Sequence, residues 1–315
     1  LVDYHIVIAT TGTAIIPKTV LVSSIADLPP AITGVITLAD NTDYLFVQDV
    51  TSADRFVVGV NTVIRAASSQ IILLSYTGVA AMFTGVNPNF KAMGITIDCP
   101  NGPLFDMTSP ANTGIVQVIE CNIQSCETGG TISDMFITRF DAVAWENIKT
   151  KGVTFAGVHQ NLIYNTGVVF LLGGDFIDLG TATFNNIQIS NNSVEVSAAA
   201  TVFIKGAASS ANVQSGGFAT ATNNRLSGSI AGLSGVTSND ARWAFLLNDD
   251  IPDTRTDGLL SMQGNATATV IASAGTGVLV AGTWVIETEG QMTGTTAGRL
   301  TLDLERSSKL PITAS

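Results

Sequence analysis

Short apolar runs recur along this chain, each β-branched or alternating and each closed by Asn, Gly or Pro. Ile95-Thr96-Ile97-Asp98, Val116-Gln117-Val118-Ile119, Val168-Val169-Phe170-Leu171 and Ile187-Gln188-Ile189-Ser190 are the clearest, and no helix-length segment separates them. Such runs predict β-strands. Between about Asn89 and Leu226 the turn residues fall at a steady spacing: Asn122-Ile123, Asn147-Ile148, Asn186-Ile187 and Asn224-Arg225, with an Asn-Thr-Gly turn at Asn165. From Asn122 to Asn224 five steps average roughly 20 residues, the period of stacked solenoid coils. One coil of two or three short strands cannot bury its apolar face alone, and the coils above and below supply the partner. Asn suits the turns because it tolerates left-handed backbone. A β-sandwich would also show short strands separated by turns. The longer period favours a right-handed parallel β-helix.

The flanks extend the pattern. Residues 1–30 hold strand-like stretches at Asp3 to Ile8 and Ala14 to Ser23, closed by Leu28-Pro29-Pro30. Proline forbids the ladder hydrogen bond there, so this segment reads as an N-terminal cap that blocks edge pairing. The β-helix itself is expected over 31–235, beginning with Gly34-Val35-Ile36-Thr37-Leu38 and Tyr44-Leu45-Phe46-Val47. Ser227 to Gly235 is flexible by composition, and 236–262 reads as a linker. Within 263–315, Ala268 to Ile271, Thr283 to Ile286 and Gly298 to Leu302 read as the start of a C-terminal β-sandwich or jelly-roll domain, incomplete at Ser315. The fold class is therefore all-β. The chain begins at Leu1 without Met and reads as a segment of something longer.

Composition sharpens this. Charged residues make up 12% of the chain and hydrophobic ones 46%, with 30 Gly, which argues against disorder and against a helical enzyme. A net charge of −11 opposes a phosphate backbone, so nucleic acid is not an expected partner. The sequence shows no apolar run of about 18 residues, so membrane insertion is not expected. Three cysteines are too few and too odd in number for a disulfide framework. Cys99 and Cys121 lie about one coil apart and are expected to stack as apolar core residues. Two histidines, His5 and His159, lie at no ligand spacing from the cysteines, so neither a metal nor another cofactor is expected. The acidic Asn248 to Arg255 run lacks the Gly and terminal Glu of a calcium loop.

For glycan chemistry the candidates are carboxylates on successive coils: Asp98, Glu120, Asp134, Asp141, Glu146, Asp175, Asp178 and Glu195. Glu120 and Glu146 are the pair placed for adjacent coils, with Trp145 as a sugar-stacking surface. The competing reading makes each a lone turn carboxylate, and on it no residue is assigned a catalytic, cofactor or metal role.

Asn248-Asp249-Asp250-Ile251-Pro252-Asp253-Thr254-Arg255, Asn265 to Ile271, Ala281-Gly282-Thr283-Trp284 and Thr293 to Thr301 resemble the C-terminal part of tailed-bacteriophage virion structural proteins. Gly34 to Thr42 and the asparagine turns resemble the β-helical shafts of phage tail fibres and tail spikes. The resemblance implies a virion location, a homotrimer with a β-sandwich tip, contact with other virion proteins, and non-enzymatic attachment to a host-surface glycan. The alternative it implies is a tail-spike glycan depolymerase, hydrolase or lyase, with carboxylates on adjacent coils.

Overall fold

The computed structural model describes residues 17–67, 71–171, 174–207, 211–236 and 243–246, together with four short strands nearer the C-terminus. Much of the cap at 1–30, most of the linker at 236–262, the acidic run at Asn248 and most of 263–315 lie outside the described residues, but Lys18–Val22 of the expected cap and Trp243–Leu246 of the expected linker pair in parallel as strands of the solenoid. Within 263–315, Thr283–Ile286 pairs antiparallel with Leu310–Thr313, and Gly290–Met292 with Leu302–Leu304.

From Lys18 to Leu246 the described chain is an all-β parallel solenoid. A ten-stranded sheet forms its first face, with strands that include Lys18–Val22, Thr42–Phe46, Thr62–Ala66, Asn89–Met93, Gly114–Ile119, Met135–Asp141, Val158–Asn165 and Thr183–Ser190. A twelve-stranded sheet supplies the rest. Its long strands, Thr96–Thr108, Asn122–Ser133 and Ala144–Ala156, are interrupted by register shifts at Cys99/Pro103 and at Cys126/Thr128, the latter opposite Ile148 and Lys151. Each bends there, so a coil has a second face before the bulge and a third face after it. Every neighbouring pair of coils in the solenoid is parallel, as the spacing of turns predicts.

Alternation builds the core. Thr42–Phe46 and Gly114–Ile119 bury every second residue, so each strand sends one set of side chains inward. In register these form columns: Tyr44, Ile64, Ala92, Val118, Phe140, Tyr164 and Ile189 stack behind the first face. Phe56, Phe83 and Phe105 stack behind the third, with ring centroids 5.7 and 6.2 Å apart. Each such side chain contributes roughly 1.5–3 kcal/mol of burial, which is why a slender coil is stable only in a stack.

The coils differ in length. Asn61 follows its hydrogen-bonded neighbour Asn41 by 20 residues, while Asn223 follows Asn191 by 32. Part of the surplus leaves at the corners and part inside Val213–Thr222, where Val213 and Phe218 face Phe184 and Asn186. At the longest coil Asn212, 1% exposed, gathers the loose ends: its Nδ2 donates to the Ala182 carbonyl at 2.8 Å and the Gly180 carbonyl at 3.1 Å, and its Oδ1 accepts from the Ala207 amide at 2.7 Å.

The cysteines stack differently from expectation. All three are buried free thiols, but Cys99 lies in register with Cys126, not Cys121. Contact with Cys126, together with burial, holds the Cys99 thiol far above its usual range. Cys121 instead occupies the column Ile95, Cys121, Val143 inside the corner after the first face, where burial raises it to about 11.

Candidate functional site

Among the described residues, most of the ion pairs lie along the corner between the second and third faces. Its floor is backbone, because coils approach too closely there for side chains. A Cβ at Gly130, whose φ is +86°, would lie 2.0 Å from the Phe105 carbonyl oxygen, and one at Gly152 would lie 2.0 Å from that of Phe176. Missing side chains leave a groove of about 480 Å³ lined by Ala81, Pro103, Phe105, Asp106, Thr128, Gly130, Thr131, Lys151 and Thr154.

Register sets the chemistry of its wall. Asp106, Thr131, Thr154, Asp178 and Lys205 lie in one row along the third face. Lys151 pairs with Asp178, which also accepts the Gly180 amide at 2.9 Å. Lys205 donates to Asp175 at 2.8 Å, which holds its ammonium above the usual range, and Lys149 faces Glu127 at 3.6 Å. The row thus offers hydroxyls one coil apart with an exposed carboxylate at one end, a surface suited to hydrogen-bonding a polyol. Rungs about 4.8 Å apart put Asp106 and Asp178 roughly 14 Å from each other, beyond the 5–9.5 Å of paired glycosidase carboxylates.

The other carboxylates are dispersed. Asp134 accepts the Val158 amide at 2.8 Å and braces the corner before the first face. Asp141 is held by Arg139 and by Asn165 Nδ2 at 3.1 Å. Asp98 lies on the second face, where burial raises its pKa and Ser75 donates at 3.4 Å. Glu120 occupies a left-handed turn at φ 53° aligned with Ala142, whereas Glu146 lies out along the second face and accepts from Asn122 at 2.9 Å. Those two do not share a row. Trp145, expected as a sugar platform, is wholly buried, packed 5.7 Å from Phe140 and 5.8 Å from Phe176.

The exposed aromatic of that region is Phe170, 43% accessible, on the second face. It lies in register with Glu195 on one side, and on the other it faces the bulge that holds Glu146 and Asn147. Alternation in Val168–Leu171 carries this signal, since burying Val169 turns Phe170 outward. Among the described residues no group of His, Cys, Asp and Glu could hold a metal ion. No family model, curated protein or solved structure matches the chain.

Proposed function

We propose that this chain is the shaft of a trimeric tail-fibre or tail-spike component of a tailed-phage virion, a right-handed β-helix leading to a β-sandwich tip, and that it attaches to a host-surface glycan without cleaving it. The single observation that carries the reading is the third-face groove: the hydroxyls of Thr131 and Thr154 on adjacent coils over a backbone floor, with its carboxylates too far apart for paired acid–base work. The resemblance of 248–301 to virion proteins supports the location. Stacked hydroxyls make weak contacts with sugar, and three chains would multiply them into useful avidity.

The test is to incubate the intact protein with purified host surface polysaccharide, measuring retention on immobilised glycan and release of reducing ends. Retention without release is expected, weakened at least several-fold by Thr131→Val with Thr154→Val. Unaltered retention in that double variant would sink the groove as the binding surface.

One observation favours depolymerisation: Glu146 and Glu195 flank Phe170 from two coils apart, about 10 Å along the backbone and near the outer limit for inverting carboxylates. Release of reducing ends that vanishes in Glu146→Gln or Glu195→Gln would establish it.

A further inference from the structure

Charge is distributed unevenly around the groove. The lysines of its corner are occupied: Lys149 faces Glu127 at 3.6 Å, Lys205 meets Asp175 at 2.8 Å, and Lys151 pairs with Asp178, whose side chain is 8% exposed. Asp106 is exposed and has no ion-pair partner among the described residues. Hydroxyls surround it. Asp106 lies in register with Thr84 on one neighbouring coil and Thr131 on the other, while Thr108, two residues along on the same outward side, lies in register with Ser133. Rungs about 4.8 Å apart and a two-residue repeat of about 6.6 Å spread these groups over the footprint of a single sugar ring.

We propose that Asp106 makes the groove selective for sugars bearing a free amine, with neutral glycans second and uronate- or phosphate-bearing glycans excluded; this rests on the glycan-binding reading above. A protonated sugar amine donates to the carboxylate in a charge-assisted bond, roughly twice as strong as a neutral one. Thr84, Thr131 and Thr108 offer hydroxyls for the rest of the ring. An acidic glycan meets the reverse arrangement. Asp106 repels it, and the cation lining the groove, Lys151, is free to receive it only if the pair with Asp178 breaks. That leaves a nearly buried carboxylate uncompensated, the costly way to disrupt such a pair. The net charge of −11 adds a field of the same sign, which draws cationic polymers toward the rod and turns polyanions away. Because that field covers the whole surface, the share due to Asp106 shows only against an equal change of charge elsewhere.

The experiment measures half-saturating concentrations of the full chain on four immobilised polymers, at a pH where the sugar amine is protonated. These are a glucosamine polymer, its N-acetylated counterpart, a galacturonate polymer and the host surface polysaccharide. Asp106→Asn keeps the side-chain shape and removes the charge, while Glu120→Gln removes the same charge from the exposed turn after the first face. We expect the wild type to favour the glucosamine polymer over its acetylated form by roughly fivefold or more, the size of an exposed ion pair, and to leave the galacturonate polymer unbound. Asp106→Asn should erase that preference without loss on the acetylated polymer, and Glu120→Gln should keep it. A preference that survives Asp106→Asn, or that falls equally in Glu120→Gln, assigns the selectivity to net charge and overturns this inference alone. Retention on the host polysaccharide with no preference for the glucosamine polymer does the same. A protein held by none of the four polymers overturns the glycan-binding reading, and this inference with it.

Discussion

Two corners of the coil solve the same problem in opposite ways. After the first face the chain turns through one left-handed residue per coil, at Gly94, Glu120, Ala142, Thr166, Asn191 and Asn223, with φ between 53° and 58°. Five of the six are not glycine, although the conformation costs an L-residue about 1–2 kcal/mol. Between the second and third faces the constraint is contact: Gly130 and Gly152 lie where a neighbouring carbonyl oxygen would occupy the place of a Cβ. Strain confined to one residue's own dihedrals is tolerated and leaves the side chain free to vary. A steric collision between coils is not, so that corner stays bare and becomes a groove.

The largest expected effect tests the bare corner. Gly130→Val adds a clash with the Phe105 backbone to an unfavourable φ, and we expect a loss of about 3–5 kcal/mol in chemical denaturation. A loss below about 1 kcal/mol would mean the coils slide apart easily there, and the contrast between corners would collapse.

The next concerns the remaining corner, from third face to first, where His159 is wholly buried and stacked on Phe184 at 4.7 Å. The Met135 amide donates to its Nδ1 at 3.3 Å, and the Ala156 carbonyl lies 2.8 Å from Nε2, which assigns the proton to Nε2. Burial lowers its pKa from 6.5 to about 4, against opposing pulls from the Ala156 carbonyl and then Asp134. Because the folded value is depressed, its contribution is complete above pH 6.5 and is lost as pH falls toward 4. A shift of that size corresponds to about 3 kcal/mol, to be read as a decline in denaturation midpoint that His159→Gln flattens.

A change of about 2 kcal/mol is expected for Asn192→Ala. Asn192 Oδ1 accepts the Gly167 amide at 3.0 Å and its Nδ2 donates to Asn224 at 2.8 Å, so truncation strands both inside the corner. Smallest is Thr166→Gly, which removes a β-branched residue from φ 53° and should raise stability by up to about 1 kcal/mol. A fall instead would show that the left-handed turns carry no strain.

The strands and their parallel stacking were legible because alternation and turn residues are local signals. The asparagine dipeptides were a poorer guide to position. Asn122 and Asn147 fall in different rows of the second face, Asn186 on the first, and Asn224 inside a corner, while the left-handed asparagines are Asn41, Asn61, Asn87, Asn112, Asn191 and Asn223. Variable coil length blurs the period, so spacing alone points Cys99 to Cys121 rather than to its register partner Cys126. The inward direction of Trp145 is hidden from the sequence because the irregular register at Glu146 and Asn147 interrupts the alternation that would reveal it. The groove was invisible for a related reason: Asp106, Thr131 and Thr154 become neighbours only once register is known, and glycine in a β protein announces a turn as readily as a missing wall.

Asn212 has a wider consequence. Its one side chain ties the Ala207 amide and the Gly180 and Ala182 carbonyls of the preceding coil to a single point, so the two ends of the 207–212 connection are pinned beside each other. Loop closure depends only weakly on length, so foreign peptide spliced there should alter what the rod displays without altering its pitch, making this bend a natural insertion port.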